Sequence, residues 1–368
     1  MPLNVSNADF RVSVPPITDQ TVDPNLRIAL CNDALDSGDL SQEGFATAYC
    51  NRGNAYAAIG ELKRAIDDYN RALAIDAHRP SYYCDRAFAL ADLGQHDRAF
   101  ADFDRAIAIA PDLAANYASR GVVFSAMGEL DSAIADYDRA LHRGPPEATT
   151  HYNRGNAHFD RRNLDLAIAD YDSALRLDPW LRVALINRGF SFVCQGNFDA
   201  AMTDYDRAIE LGQLNGAAYA ARGCLHFYRG AFRAAHRDFS QAIVEGDKSP
   251  LRIAWNFVAS ARIGLVDLAL EWTDEDDLCG NWPWPIVRYL VDDLSEFELL
   301  QKAGGTANEA RHSQLTEAHF FIGQSTLCQG GTEKARWHFS QAVAQDVFGN
   351  DGSLGAAAEL RRIDGAVI

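Results

Sequence analysis

No stretch of this 368-residue sequence approaches the roughly 20 consecutive apolar residues that a membrane-spanning helix needs, so direct membrane insertion is not expected. Basic residues are in short supply. Lys and Arg number 34 against 51 Asp and Glu, leaving a net charge of -17, which disfavours nonspecific nucleic-acid binding and suits either a basic partner or simple solubility. No CxxC occurs among the seven cysteines, which sit inside helical patterns rather than at loop spacings. Cys50 and Cys84 hold equivalent places, yet stacked helices lie about 8–10 Å apart, beyond the roughly 7 Å Cα limit for a disulfide. The cysteines therefore read as small buried hydrophobes in a reducing compartment.

Catalytic patterns are missing as well. The sequence contains no HxxxH pair, HExxH, GxSxG, GxxxxGK[ST] or GxGxxG, so no enzymatic activity, metal or cofactor is expected. His151 and His158 fall at packing places of the periodic pattern described next, which favours core histidines over metal ligands. The acidic run Asp274 to Asp277 lacks the glycine and spaced oxygens of a calcium loop. The first residues, "MPLNVSNADFRVSVPPITDQTVDP", show neither an apolar export core nor a lipidated-cysteine signal. The chain as it stands reads as cytoplasmic, and as periplasmic if an export signal once preceded it.

What the sequence has in abundance is itself. "NRGNAYAAIGELKRAIDDYNRAL" at 51 returns as "SRGVVFSAMGELDSAIADYDRAL" at 119 and as "NRGNAHFDRRNLDLAIADYDSAL" at 153. Gly53, Gly121, Gly155, Gly189 and Gly223 fall on one 34-residue lattice, with Ala87 in the remaining slot. Large apolar residues recur at the fourth and eleventh places of each unit, small ones at the eighth and twentieth, an aromatic at the twenty-fourth and Ala at the twenty-seventh. The 3–4 spacing predicts two amphipathic helices per unit. Gly60, Gly94, Gly128, Gly196 and Gly230 mark the turn between them, and Pro111, Pro145 and Pro179 close the second helix.

On these residues the chain resembles tetratricopeptide-repeat (TPR) proteins, of the "NRG…AIxDYxRAL" type common in bacteria. The resemblance implies an all-α fold, a right-handed TPR superhelix with a helical C-terminal extension that contains a further TPR. Six repeats are expected over 46–249, after an extended or disordered segment at 1–23 and a capping helix and loop at 24–45. A degenerate hairpin with Trp/Pro linker helices is expected over 250–305, with Trp282 and Trp284 packed on that hairpin. A terminal TPR-like hairpin and C-terminal helix follow over 306–368. The tail, "WPWPIVRYL" with the last repeat and "GSLGAAAELRRI", is similar to NlpI-type bacterial TPR lipoproteins, adaptors that bring proteases and cell-wall hydrolases together. From that similarity only the adaptor idea carries over.

Two ladders depart from the generic repeat. The seventh place is Arg in all six units (Arg52, Arg86, Arg120, Arg154, Arg188, Arg222) and the twenty-third is Asp (Asp68, Asp102, Asp136, Asp170, Asp204, Asp238). They read either as a basic stripe for an acidic ligand or as an ion pair repeated within each unit. Their strict co-occurrence favours the pair, with the ordinary worth of an exposed one, roughly 0–1 kcal/mol.

In TPR superhelices the first helix of each hairpin lines the concave face. The corresponding places here put Asn51, Asp85, Ser119, Asn153 and Asn187 at the sixth, and Asn54, Phe88, Val122, Asn156, Phe190 and Cys224 at the ninth. Asn offers donor and acceptor together, so a row of them can satisfy the backbone of an extended peptide. A similar ladder serves the TPR arm of the O-linked N-acetylglucosamine transferases. Tyr152, Phe159, Ile186, Phe190, Phe227 and Tyr228 add an apolar lining. The cations of a carboxylate clamp are missing from these places. The sequence thus points to a non-catalytic scaffold holding a segment of a protein or peptide partner. A homo-oligomeric assembly protein, with a homodimer left open, and a substrate-presenting accessory subunit of a hydrolase, protease or transferase are the alternatives.

Overall fold

The computed structural model describes residues 22–212, 216–265, 281–305 and 310–365. Most of the N-terminal segment expected to be extended or disordered, the acidic run at 274–277 and part of the expected hairpin at 266–272 lie outside these. The described residues contain helices and turns and no strand. They fall into two compact units, one ending at residue 157 and one beginning at residue 158.

In the first unit α1 (Pro24–Ser37) precedes the hairpins α2 (Gln42–Ala58) with α3 (Leu62–Ile75), α4 (Pro80–Asp92) with α5 (His96–Ile109), and α6 (Ala114–Ala126) with α7 (Leu130–Arg143). The unit ends within α8 (Ala148–Asp160). Its core is built from the lattice places: Ala65, Tyr69 and Ala72, then Ala99, Phe103 and Ala106, all at most 1% exposed. Each second helix stops two residues before a proline or its equivalent, as at Ile109 before Pro111 and Arg143 before Pro145.

The second unit continues with α9 (Leu164–Leu177) and the hairpins α10 (Arg182–Cys194) with α11 (Phe198–Glu210) and α12 (Gly216–Tyr228) with α13 (Phe232–Val244). After these come α14 (Pro250–Ala261), α15 (Trp284–Leu290), α16 (Glu296–Gly304), the hairpin α17 (Ala310–Cys328) with α18 (Thr332–Ala344), and α19 (Asp351–Ile363). Trp255 is the hub of this unit, with Phe227, Phe239, Phe320 and Phe321 around it at ring-centroid distances of 4.6–5.9 Å. Trp282 and Trp284 pack, half-buried, against this cluster, and the Trp282 indole N–H donates to Glu317 at 2.7 Å. A buried carboxylate, Glu359, ties the end together by accepting from Arg262 at 2.6 Å and Gln324 at 3.1 Å beside Arg362.

The turns show what the lattice demands. The inter-helix glycines adopt left-handed φ between 72° and 79°, and the fourth slot of the same series is Arg162, at φ 61°. A non-glycine residue there is strained, so something other than turn geometry keeps an arginine in place. Within each hairpin the small eighth place admits the aromatic at the twenty-fourth. A Cβ on Gly189 would stand 2.6 Å from the Tyr205 ring, and in the last hairpin Gly323 has the same relation to Phe339. Gly189→Ala should therefore cost about 1–3 kcal/mol through overpacking, read as a lower urea midpoint at unchanged slope.

One buried pair is expected to make the second unit acid-sensitive. His319 Nδ1 and His338 Nδ1 lie 3.0 Å apart, with Glu296 3.3 Å from His338 Nε2 and the Trp337 ring against both imidazoles. Burial lowers both pKa values, that of His319 to about 4. The unfolded chain takes up these protons at about pH 6.5, so the pair's contribution is complete above that value and falls as pH drops toward 4. Urea melts from pH 7 to pH 4 should show this loss, and His319→Gln should flatten it.

Candidate groove

The places that frame a groove are fixed by their neighbour at place seven. Arg52 Nε and Nη2 donate to both oxygens of Asp68 at 2.7 and 2.8 Å. Arg86 with Asp102, Arg120 with Asp136, Arg188 with Asp204 and Arg222 with Asp238 repeat that geometry at 2.6–2.9 Å. The ladder is thus structural. It is not the exposed pairing anticipated from sequence, because the five carboxylates retain no more than 7% side-chain exposure. With arginine committed to its carboxylates, places six and nine of the same helix are left to face outward.

In the first unit these places carry half-buried Asn51, Asn54, Asp85, Phe88 and Ser119, with Val122 39% exposed. Four of them line one cleft of about 630 Å³ between α1, α2 and α4: Asn51, Asn54, Asp85 and Phe88. The Tyr69 hydroxyl donates to Asn54 Oδ1 at 2.6 Å, and the Cys50 thiol donates to Asp85 Oδ2 at 3.1 Å. Burial raises the Asp85 pKa above the usual carboxylate range, while hydrogen bonds from Cys50 and Asn54 oppose the rise. The same burial, with Asp85 beside it, raises the pKa of Cys50, so this thiol is a packing and donor group rather than a nucleophile. Further along, Tyr152, Asn153 and Asn156 are half-buried on α8.

The second unit presents Phe159, Ile186, Asn187 and Phe190, also half-buried. Phe159 and Phe190 meet at 5.6 Å, and Ile186, Asn187 and Phe190 line a cleft of about 400 Å³. The chain itself covers part of this face. Phe348 packs on Phe159 at 5.2 Å, Gly349 lies against both rings, and Arg162 stacks over Phe348 at 5.2 Å. That contact gives the strained Arg162 a reason to stand in a glycine slot.

One residue read from the lattice as groove lining requires correction: Phe227 is fully buried, 5.1 Å from Trp255. Tyr228 is 2% exposed, with its hydroxyl donating to Asp351 at 2.6 Å, and it lines the 400 Å³ cleft together with Ile186, Asn187 and Phe190. The physical cause of the Phe227 burial is the C-terminal extension. Arg362 Nη2 donates to the last carbonyls of α12, those of Phe227 and Tyr228, at 3.1 and 2.9 Å, so α19 covers the Phe227 ring. Conversely, sequence reading passed over Arg27, which lines the first cleft from α1. It belongs to no complete repeat, so the lattice gave no signal for it.

The six described cysteines are free, four of them buried. Among the described residues no group of three His, Cys, Asp or Glu side chains is placed to hold a metal ion. No helix of the described residues is long and apolar enough to cross a membrane.

Tetratricopeptide-repeat family models match residues 46–78, 80–113 and 119–179. Among solved structures, a tetratricopeptide repeat protein from Parabacteroides merdae is similar at 17% identity and a TM-score of 0.50, over 77% of this chain and 98% of that one. The Cut9–Hcn1 hetero-tetramer of the APC/C is similar at 13% identity and a TM-score of 0.52. That likeness spans 91% of this chain and only 58% of the other. At such identities the likeness is one of fold. The architecture of this chain is that of a TPR-like solenoid, all-α, in which helical hairpins stack on one repeating packing rule.

Proposed function

We propose that the protein is a non-catalytic interaction scaffold that holds an extended segment of a partner protein along the faces of α2, α4, α6 and the first turns of α8. The observation that carries this reading is the uneven use of these helices. Places four, eight and eleven are spent on the core and place seven on the ladder, whereas Asn51, Ser119, Val122 and Asn153 remain at least partly open to solvent. Among the described residues, the side-chain amides of Asn51 and Asn153 make no hydrogen bond. An idle polar row of this kind suits peptide backbone, whose N–H and C=O groups need partners once desolvated. The adaptor role suggested by the NlpI-like tail fits such a scaffold.

Asn51→Ala combined with Asn153→Ala should weaken partner binding about tenfold, the worth of two modest hydrogen bonds, while leaving the melting temperature nearly unchanged. The partner is to be found by placing a photo-crosslinking residue at Val122 and, as a control, at the exposed Ala101 on α5. Crosslinks from Val122 alone are expected. Crosslinks from Ala101 alone, with affinity unaffected by the asparagine changes, would place the interface elsewhere.

A further inference from the structure

Among the described residues Arg27 is the one cation that lines the first cleft, and its situation is unusual. The residue is 7% exposed, its Nε is shut off from solvent without an acceptor, and no described residue accepts from its terminal nitrogens. An arginine keeps its charge, and only Nε of this one is fully shut off from solvent, so the terminal nitrogens are left available to a ligand. Every arginine of the ladder, by contrast, has at least one acceptor assigned. The cleft it lines is roomy, about 630 Å³, and is walled by Asn51, Asn54, Tyr69, Asp85 and Phe88.

We propose that this end of the groove is a subsite for a carboxylate of the bound peptide segment, received by the Arg27 guanidinium. The inference rests on the reading of this face as a peptide groove, and adds to it the chemistry of one ligand residue. Guanidinium and carboxylate match as planar partners that share two parallel hydrogen bonds, and shielding from water strengthens the match. The acidic groups that face the cleft set the rest of the ligand's character. Asp85 is already engaged by Cys50, and Asp92 stands exposed at the rim. Both repel a second anion and favour a donor, such as a backbone N–H, beside the carboxylate. Phe88 supplies an apolar wall for the stem of the acidic residue. A side-chain carboxylate from Asp or Glu and a free C-terminal carboxylate share this chemistry.

The test uses a phage-displayed library of random nine-residue peptides, panned on the full chain and on Arg27→Gln. Asp or Glu should be enriched at one fixed position, or the binders should require a free C-terminus when resynthesised, which tells the two sources apart. On Arg27→Gln the acidic preference should vanish while the other positions persist. For the best peptide, replacing Glu by Gln, or amidating the C-terminus, should weaken binding to the parent chain at least about tenfold and binding to Arg27→Gln by no more than about twofold. The melting temperature of Arg27→Gln without ligand should be equal or higher, since an unpaired buried charge has been removed. Enrichment without an acidic preference, or one that survives Arg27→Gln, would overturn this subsite and leave the groove intact. A marked fall in melting temperature for Arg27→Gln would also overturn it, by showing a structural partner for the guanidinium. The absence of any binder would overturn subsite and groove together.

Discussion

The stack of hairpins depends on a guanidinium that reaches in two directions. Arg52, Arg86, Arg120, Arg188 and Arg222 each donate two bonds forward to the aspartate sixteen residues later, on the second helix of the same hairpin. The remaining terminal nitrogen reaches back sixteen residues to the second helix of the preceding hairpin: Asn70 for Arg86, Asp104 for Arg120, Asp172 for Arg188 and Asp206 for Arg222, at 2.5–2.7 Å. Arg154 reaches back in the same way to Asp138. At the front, where no hairpin precedes, Arg52 finds Asn32 on α1. Every ladder arginine but Arg52 thus joins a first helix to the hairpin before it, and five of the six also bond their own second helix, which fixes the register of one hairpin on the next.

Burial makes the ladder matter. Asp136 has no side-chain exposure and Arg120 keeps 16%, so the pair has left most of its water behind. Such a pair gives less net stability than its geometry suggests, because desolvation offsets much of the attraction, but removing one partner leaves a charge stranded. The ladder therefore specifies an arrangement more than it adds to stability. The small residue at place eight and the aromatic at place twenty-four supply the apolar counterpart, with Gly189 and Tyr205 in contact that leaves no room for a methyl group. Polar and apolar parts of the rule both operate over sixteen residues, so each hairpin closes on itself before it meets its neighbour. In the second unit the same glycine–aromatic relation reappears at Gly323 and Phe339, where the arginine ladder is absent and Trp255 and its aromatic neighbours take over the packing.

Periodicity made most of this legible from sequence. The places of Gly53, Tyr69, Arg52 and Asp68 and the turn at Gly60 follow from a pattern repeated often enough to exclude chance, and the helices stand where that pattern sets them. What periodicity cannot see is contact between distant, non-repeating segments. Phe227 and Phe159 share a lattice place, yet one is sealed against Trp255 and Phe320 while the other is half-open under Phe348. The difference arises from α14, α17 and α19, whose docking no local spacing encodes. The burial of the ladder aspartates was hidden for a related reason, since an Asp on a helix face reads as solvated until the guanidinium above it is placed. Arg27 escaped because it lies before the first complete repeat.

The most direct measurement is a double-mutant cycle on Arg120 and Asp136, with each changed to Ala singly and together and stability read from urea unfolding. A buried bidentate pair that sets the register should show single losses of about 3 kcal/mol and a coupling on the order of 2 kcal/mol, so that the double variant is little worse than either single one. A coupling below about 0.5 kcal/mol, with small single losses, is the signature of an exposed surface pair and would contradict the ladder's role in ordering the stack.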